Sequence, residues 1–88
     1  MFRMWGKIWK DNHLLKDTVI CMTDYSMSRT QMVFGALEDI CYQFDLGHPI
    51  WLDSNIHAFK HHDKTRFSQD NFVEGIDFDY LEIQVIEE

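Results

Sequence analysis

The chain predicts a two-layer α+β fold, in which a small, mainly antiparallel sheet carries helices on one face in the order β-β-α-(β)-α-β. Three observations point there. A strand–turn–strand pattern opens the sequence, a capped amphipathic helix occupies its middle, and a strand with one apolar and one polar face closes it. With 88 residues and no linker, repeat or low-complexity stretch, the whole of 1–88 reads as a single domain.

The opening FRMWGKIWK reads as a strand with large side chains on both faces: Phe2, Met4 and Ile8 on one, Trp5 and Trp9 on the other, with Arg3 and Lys7 beside the indoles. A strand with one wet face would alternate, so both faces are covered by the chain itself or one waits for a partner. Phe2, Trp5, Ile8 and Trp9 also fit helical spacing, the pattern of a basic helix lying on a membrane. Gly6 in its middle opposes that reading by about 1 kcal/mol. Asp11-Asn12 supplies turn chemistry, and HLLKDTVICM, with β-branched Thr18, Val19 and Ile20 in succession, completes a hairpin.

Ser28 followed by Gln31 forms a capping-box pattern, and Val33, Leu37, Ile40, Cys41 and Phe44 recur on one helical stripe. Gly47 and Pro49 mark the stop, which predicts a helix over 28–46. The apolar run 49–52, Pro49-Ile50-Trp51-Leu52, is too short for a helix and reads as a third strand. Asp53 or Ser54 then caps a second helix reaching about residue 63, with Ile56 and Phe59 inward. Residues 63–75 show no clear period, although Phe67 and Phe72 suit anchors and Ser68 suits a further cap. DFDYLEIQVIEE closes the sheet with Leu81, Ile83 and Val85 on one face and Glu82 and Gln84 on the other; Phe78 and Tyr80 fall on the polar register, which predicts a bulge near Tyr80.

The formal charge of −7 opposes duplex nucleic-acid binding, which depends on cationic contacts to phosphate. That charge is uneven. Residues 1–22 carry a net +2, whereas 70–88 hold seven carboxylates and neither Lys nor Arg. Laid side by side as neighbouring strands, the two ends would neutralise each other. No stretch approaches the ~18 apolar residues of a membrane span, and charges interrupt the opening where a secretion signal would need an apolar run of about 7. Cys21 and Cys41, both at expected core positions, then read as two reduced thiols of a cytosolic protein.

Candidate chemistry is sparse. His57 and His61 stand one helical turn apart with Asp53 a turn earlier, a spacing that can present zinc or another divalent metal with three ligands, His48 or His62 adding a fourth. Ala58 follows His57 where a zincin would have Glu, and the same residues suit the solvated side of an amphipathic helix. Both cysteines sit on apolar faces, as inert small hydrophobes do. Asp77 and Asp79 read as a solvated strand end, not an EF-hand, and four isolated glycines assemble no phosphate loop. The remaining candidate is the group Arg3, Trp5, Lys7 and Trp9. Packed beneath the helices, the indoles would be ordinary core with the cations reaching past them to water. Left open, they would form a protein-binding patch or a platform for the bases of a single strand.

The segments FRMWGKIWKDNHLLKDTVI, CYQFDLGHPIWLDSNIHAFK and IDFDYLEIQVIEE resemble a family of short uncharacterised proteins from anaerobic Gram-positive bacteria. The resemblance spans nearly the whole chain and implies a freestanding domain, with no activity, ligand or catalytic residue to carry over. The expected function is a cytosolic domain without catalysis that acts through contacts with a protein partner or with itself, a homodimer burying the Trp5/Trp9 face or a strand edge being one form. A metal-dependent role for Asp53, His57 and His61 is the first alternative, and weak single-stranded nucleic-acid binding at the Trp face the second.

Overall fold

A computed structural model describes all 88 residues. Four strands, β1 (Phe2–Lys10), β2 (His13–Met22), β3 (Lys64–Phe67) and β4 (Tyr80–Glu87), form one antiparallel sheet in the order β2-β1-β4-β3. Helices α1 (Arg29–Gln43) and α2 (Asp53–His62) belong to the layer on one side of it. The α+β class is as the sequence predicts, and so is the juxtaposition of the two chain ends. β1 and β4 pair along their length, and Arg3 meets Glu87 at 3.0 Å.

The hairpin forms because Asp11 and Asn12 both adopt left-handed backbone conformations, φ 53° and 64°, the geometry that matches the twist of two strands joined by two residues. The Asp79 carboxylate accepts the Asp11 N–H at 2.8 Å and holds the turn against the start of β4. Phe2, Met4, Gly6 and Ile8 face the helices. Gly6 is required there: a Cβ at this position would come within 2.7 Å of Ile40 Cγ2 on α1, so its absence lets the helix lie close on the central strand.

The capping box on α1 is complete, with the Gln31 N–H donating to Ser28 Oγ at 3.2 Å and the Ser28 N–H to Gln31 Oε1 at 2.9 Å. The stripe Val33, Leu37, Ile40, Cys41 and Phe44 is buried, with Met32 and Ala36 beside it. The helix ends earlier than predicted, because Asp45, not Gly47, takes the left-handed position (φ 56°), and the Leu46 N–H closes the end on the Cys41 carbonyl at 2.8 Å.

Four further expectations are corrected. Residues 49–52 are not a strand: Trp51 plugs in edge-to-face among Phe34, Phe59 and Phe67, while Ile50 and Leu52 stay exposed. The additional strand is β3, whose four residues bury only Thr65 and Phe67, too short an alternation to stand out. Ile56 is 41% exposed, and α2 buries Asn55 beside the expected Phe59. Cys21 is exposed, since the alternation that turns Ile20 inward turns Val19 and Cys21 out; Cys41 is buried as expected. β4 keeps Leu81 and Ile83 inward from an unbroken start at Tyr80, and its irregularity lies at the far end, where Arg3 faces Glu87 and Met4 faces Val85.

A buried asparagine pair ties the irregular segments to the sheet. Asn55 Nδ2 donates to Thr65 Oγ1 (2.9 Å) and to the Arg66 carbonyl (2.8 Å), while its Oδ1 accepts the Leu52 N–H (3.0 Å) and Asn71 Nδ2 (2.7 Å). Asn71 also donates to the Ile50 carbonyl (2.7 Å) and accepts the Ser68 N–H (3.0 Å). These amides perform the capping expected of Asp53, Ser54 and Ser68, whose side chains make no cap hydrogen bond.

Candidate functional site

On the side of the sheet away from the helices, the strand register aligns side chains in rows. The central row runs Arg66, Glu82, Lys7, Asp17 across all four strands, alternating in charge. Lys7 Nζ lies 2.9 Å from Glu82 Oε1 and 3.4 Å from Gln84 Oε1, and stands 3.9 Å from the centre of the Trp5 ring. Arg66 Nε meets the other Glu82 oxygen at 3.0 Å, with its guanidinium over Tyr80 at 4.6 Å. Asp17 ends the row and accepts the Trp5 indole N–H at 2.8 Å. On one side of this charged row lie Tyr80, Trp9 and Leu14; on the other lie Gln84, Trp5 and Val19.

Lys7 and Glu82 expose only 9% and 7% of their side chains, although no helix covers them; the aromatic rows shield them. Burial by itself would push the Glu82 carboxyl up, but hydrogen bonds from Lys7 and Arg66, together with their charges, hold it below the usual glutamate range. The Arg66 guanidinium is correspondingly raised, chiefly by its hydrogen bond to Glu82. The cations expected to flank the indoles are therefore already paired within the chain, Lys7 with Glu82 and Arg3 with Glu87.

Trp5 and Trp9 do not pack beneath the helices. They stand half-buried on the open face, and the most exposed apolar groups beside them are Leu14 and Val19, 43% each. The Trp9 indole N–H is buried without a hydrogen-bond partner. Glu82, Arg66 and Asp17 were not legible as part of this surface, because only the cross-strand register brings them to it.

On α2 the imidazoles of His57 and His61 approach to 4.4 Å between ring centres, as their spacing implies. Asp53 does not complete a set with them: no group of three or more His, Cys, Asp or Glu side chains is placed to hold a metal ion. The Cys41 thiol is pushed up to about 11, first by burial and then by the Glu74 charge, which makes it a poor nucleophile. The roomiest cleft, between the hairpin and residues 74–78, gathers Lys16, Asp45, Glu74 and Asp77 without any His or Cys. Within it the Glu74 carboxylate accepts the Gly47 N–H at 2.8 Å.

Set against known proteins, the chain matches no family model, no curated protein and no solved structure. The resemblance described above therefore rests on its sequence segments alone.

Proposed function

We propose that the chain is a small cytosolic protein-interaction domain without catalysis, working through the open face of its sheet. The observation that carries this reading is the pair of aromatic rows, Trp9 with Leu14 and Trp5 with Val19, on a face no helix covers. Trp, Tyr and Arg are the residues enriched in interface hot spots, and this face presents Trp5, Trp9, Tyr80 and Arg66. The internal pairing of Lys7, Arg66 and Arg3 favours a protein over a single-stranded nucleic acid, whose phosphates need free cations. Two unpaired cysteines suit a reducing compartment, and no helix is long and apolar enough to cross a membrane.

The test is capture of proteins from the native host on the immobilised chain. The native chain is expected to retain a defined partner, and the Trp5→Ala/Trp9→Ala double variant to lose it while still melting cooperatively. Equal retention by both removes the indoles from a binding role, and unfolding of the variant assigns them to the core instead.

A second reading is divalent-metal binding by His57 and His61, favoured by the 4.4 Å approach of their rings. Elemental analysis of the untagged protein decides it, since a content well below one metal per chain disposes of this role.

A further inference from the structure

We infer that a second copy of the chain pairs antiparallel along the free edge of β2, with Val19 on the two-fold axis, so that the open faces of the two copies join into one. The inference rests on the protein-interaction reading and gives it a partner and a geometry.

β2 pairs only with β1, so its other side is an edge. Which backbone groups it leaves unpaired follows from one bond: the Trp9 carbonyl accepts the Asp79 N–H at 2.9 Å, so at Trp9 the β1 backbone is directed towards β4. Alternation along an antiparallel strand then directs Lys7 and Trp5 to β4, and Ile8, Gly6 and Met4 to β2. Their β2 partners are Lys16, Thr18 and Ile20. The N–H and C=O groups of Asp17, Val19 and Cys21 consequently face the free edge.

Natural sheets protect such edges with charge, proline, bulges or brevity. The β3 edge is protected, being four residues long and carrying Lys64 and Arg66. The first half of β2 is protected as well, by Lys16, Asp17 and the register break opposite Ile8 and Trp9. Residues 18–22, Thr-Val-Ile-Cys-Met, have no such device and are rich in β-branched side chains.

Charge permits self-pairing at this edge and rules out the registers centred on its charged residues. In a chain of net −7, β2 holds one Lys and one Asp, so two copies meet where neither is acidic overall. Symmetric antiparallel pairing sets one residue opposite itself. Centring on Lys16 or Asp17 would oppose like charges, and centring on Thr18 would set the Asp17 carboxylate against Val19 of the second copy. Centring on Val19 opposes two exposed valines and sets Asp17 beside Cys21. It also extends the row of Trp5 and Val19 into the same row of the second copy, giving an apolar band across the four central strands of an eight-stranded sheet.

The experiment is the solution mass of the native chain by sedimentation equilibrium. Twice the chain mass is expected, falling to the single-chain mass in Val19→Lys with the circular dichroism and melting temperature of a folded monomer retained. In a Cys21→Ser background, Val19→Cys should form an intermolecular disulfide under mild oxidation, which reads the axis independently of Val19→Lys folding. A native chain of single mass overturns the proposal, as does a dimer indifferent to Val19→Lys or one broken only by Trp5→Ala/Trp9→Ala. A monomer that still captures a host protein through its indoles would remove this proposal and leave the protein-interaction reading standing.

Discussion

Lys7 lies 2.9 Å from Glu82 at the centre of the sheet face that carries no helix, and both side chains are more than nine-tenths buried there. A charge pair so placed is expected where something keeps water away, and the flanking aromatic rows do so within the single chain. The pair also sets the register of β1 against β4, because a slip by one residue would move Glu82 to the helix side.

Removing one partner should cost far more than removing both. Glu82→Ala strands the Lys7 ammonium and is expected to lower stability by about 3 kcal/mol. Lys7→Met combined with Glu82→Leu should lose less than about 1 kcal/mol, since packed apolar groups replace both charges. Urea unfolding of the native chain and these variants, with Lys7→Met and Glu82→Leu alone to complete the cycle, measures this, and single losses that add up to the double loss would show that the two groups do not act as a pair.

Acid should weaken the fold through Glu82. Its carboxyl is depressed in the folded chain, so its contribution is complete above the unfolded glutamate value of about 4.3 and is lost as pH falls through the lower folded value. Urea titrations from pH 7 to pH 3 should show this loss in the native chain and a flatter profile in Glu82→Gln. Asp24, lowered by its hydrogen bonds from Ser26, falls in the same direction in both proteins, so the difference between the profiles reports Glu82. Identical slopes would assign the acid sensitivity elsewhere.

Gly6→Ala should destabilise the protein by about 1–3 kcal/mol even though alanine suits a strand better than glycine does, because the new methyl meets the side chain of Ile40, which is wholly buried and cannot swing away. Combining it with Ile40→Val, which trims the contacting side chain, should recover part of the loss in thermal melts. No recovery would place the strain in the β1 backbone.

Asn71→Ala is expected to cost about 2–4 kcal/mol, since it leaves the Ile50 carbonyl and the Ser68 N–H without the partners they have in the native chain. Asn71→Asp should not rescue it, because a carboxylate cannot donate to Ile50 or Asn55. Hydrogen exchange in 49–52 and 68–72 should accelerate before the sheet does, and uniform acceleration would argue against a local role.

The elements written within a few consecutive residues were legible. Asp11-Asn12 specified the hairpin, Ser28 and Gln31 the start of α1, its stripe the buried face, and Leu81, Ile83 and Val85 the inward side of β4. The basic opening and acidic close foretold that β1 and β4 would be neighbours, because charge imbalance at two ends is visible without knowing the path between them. β3 escaped notice because four residues cannot establish a period, and Trp51 read as a strand residue because an isolated aromatic plug and a short strand have the same apolar signature.

By itself, then, the sequence determined the class of fold, the hairpin, the capped helix and the inward side of the closing strand, all of which depend on forces acting between near neighbours. The tertiary structure alone decided that the indoles face away from the helices, that Lys7 is matched to Glu82 and Arg66, and that Asn55 finds Asn71. Those contacts join distant parts of the chain, so they exist only once strand order and register have been chosen. That choice is made by the free energy of the whole packed sheet and not by any local preference.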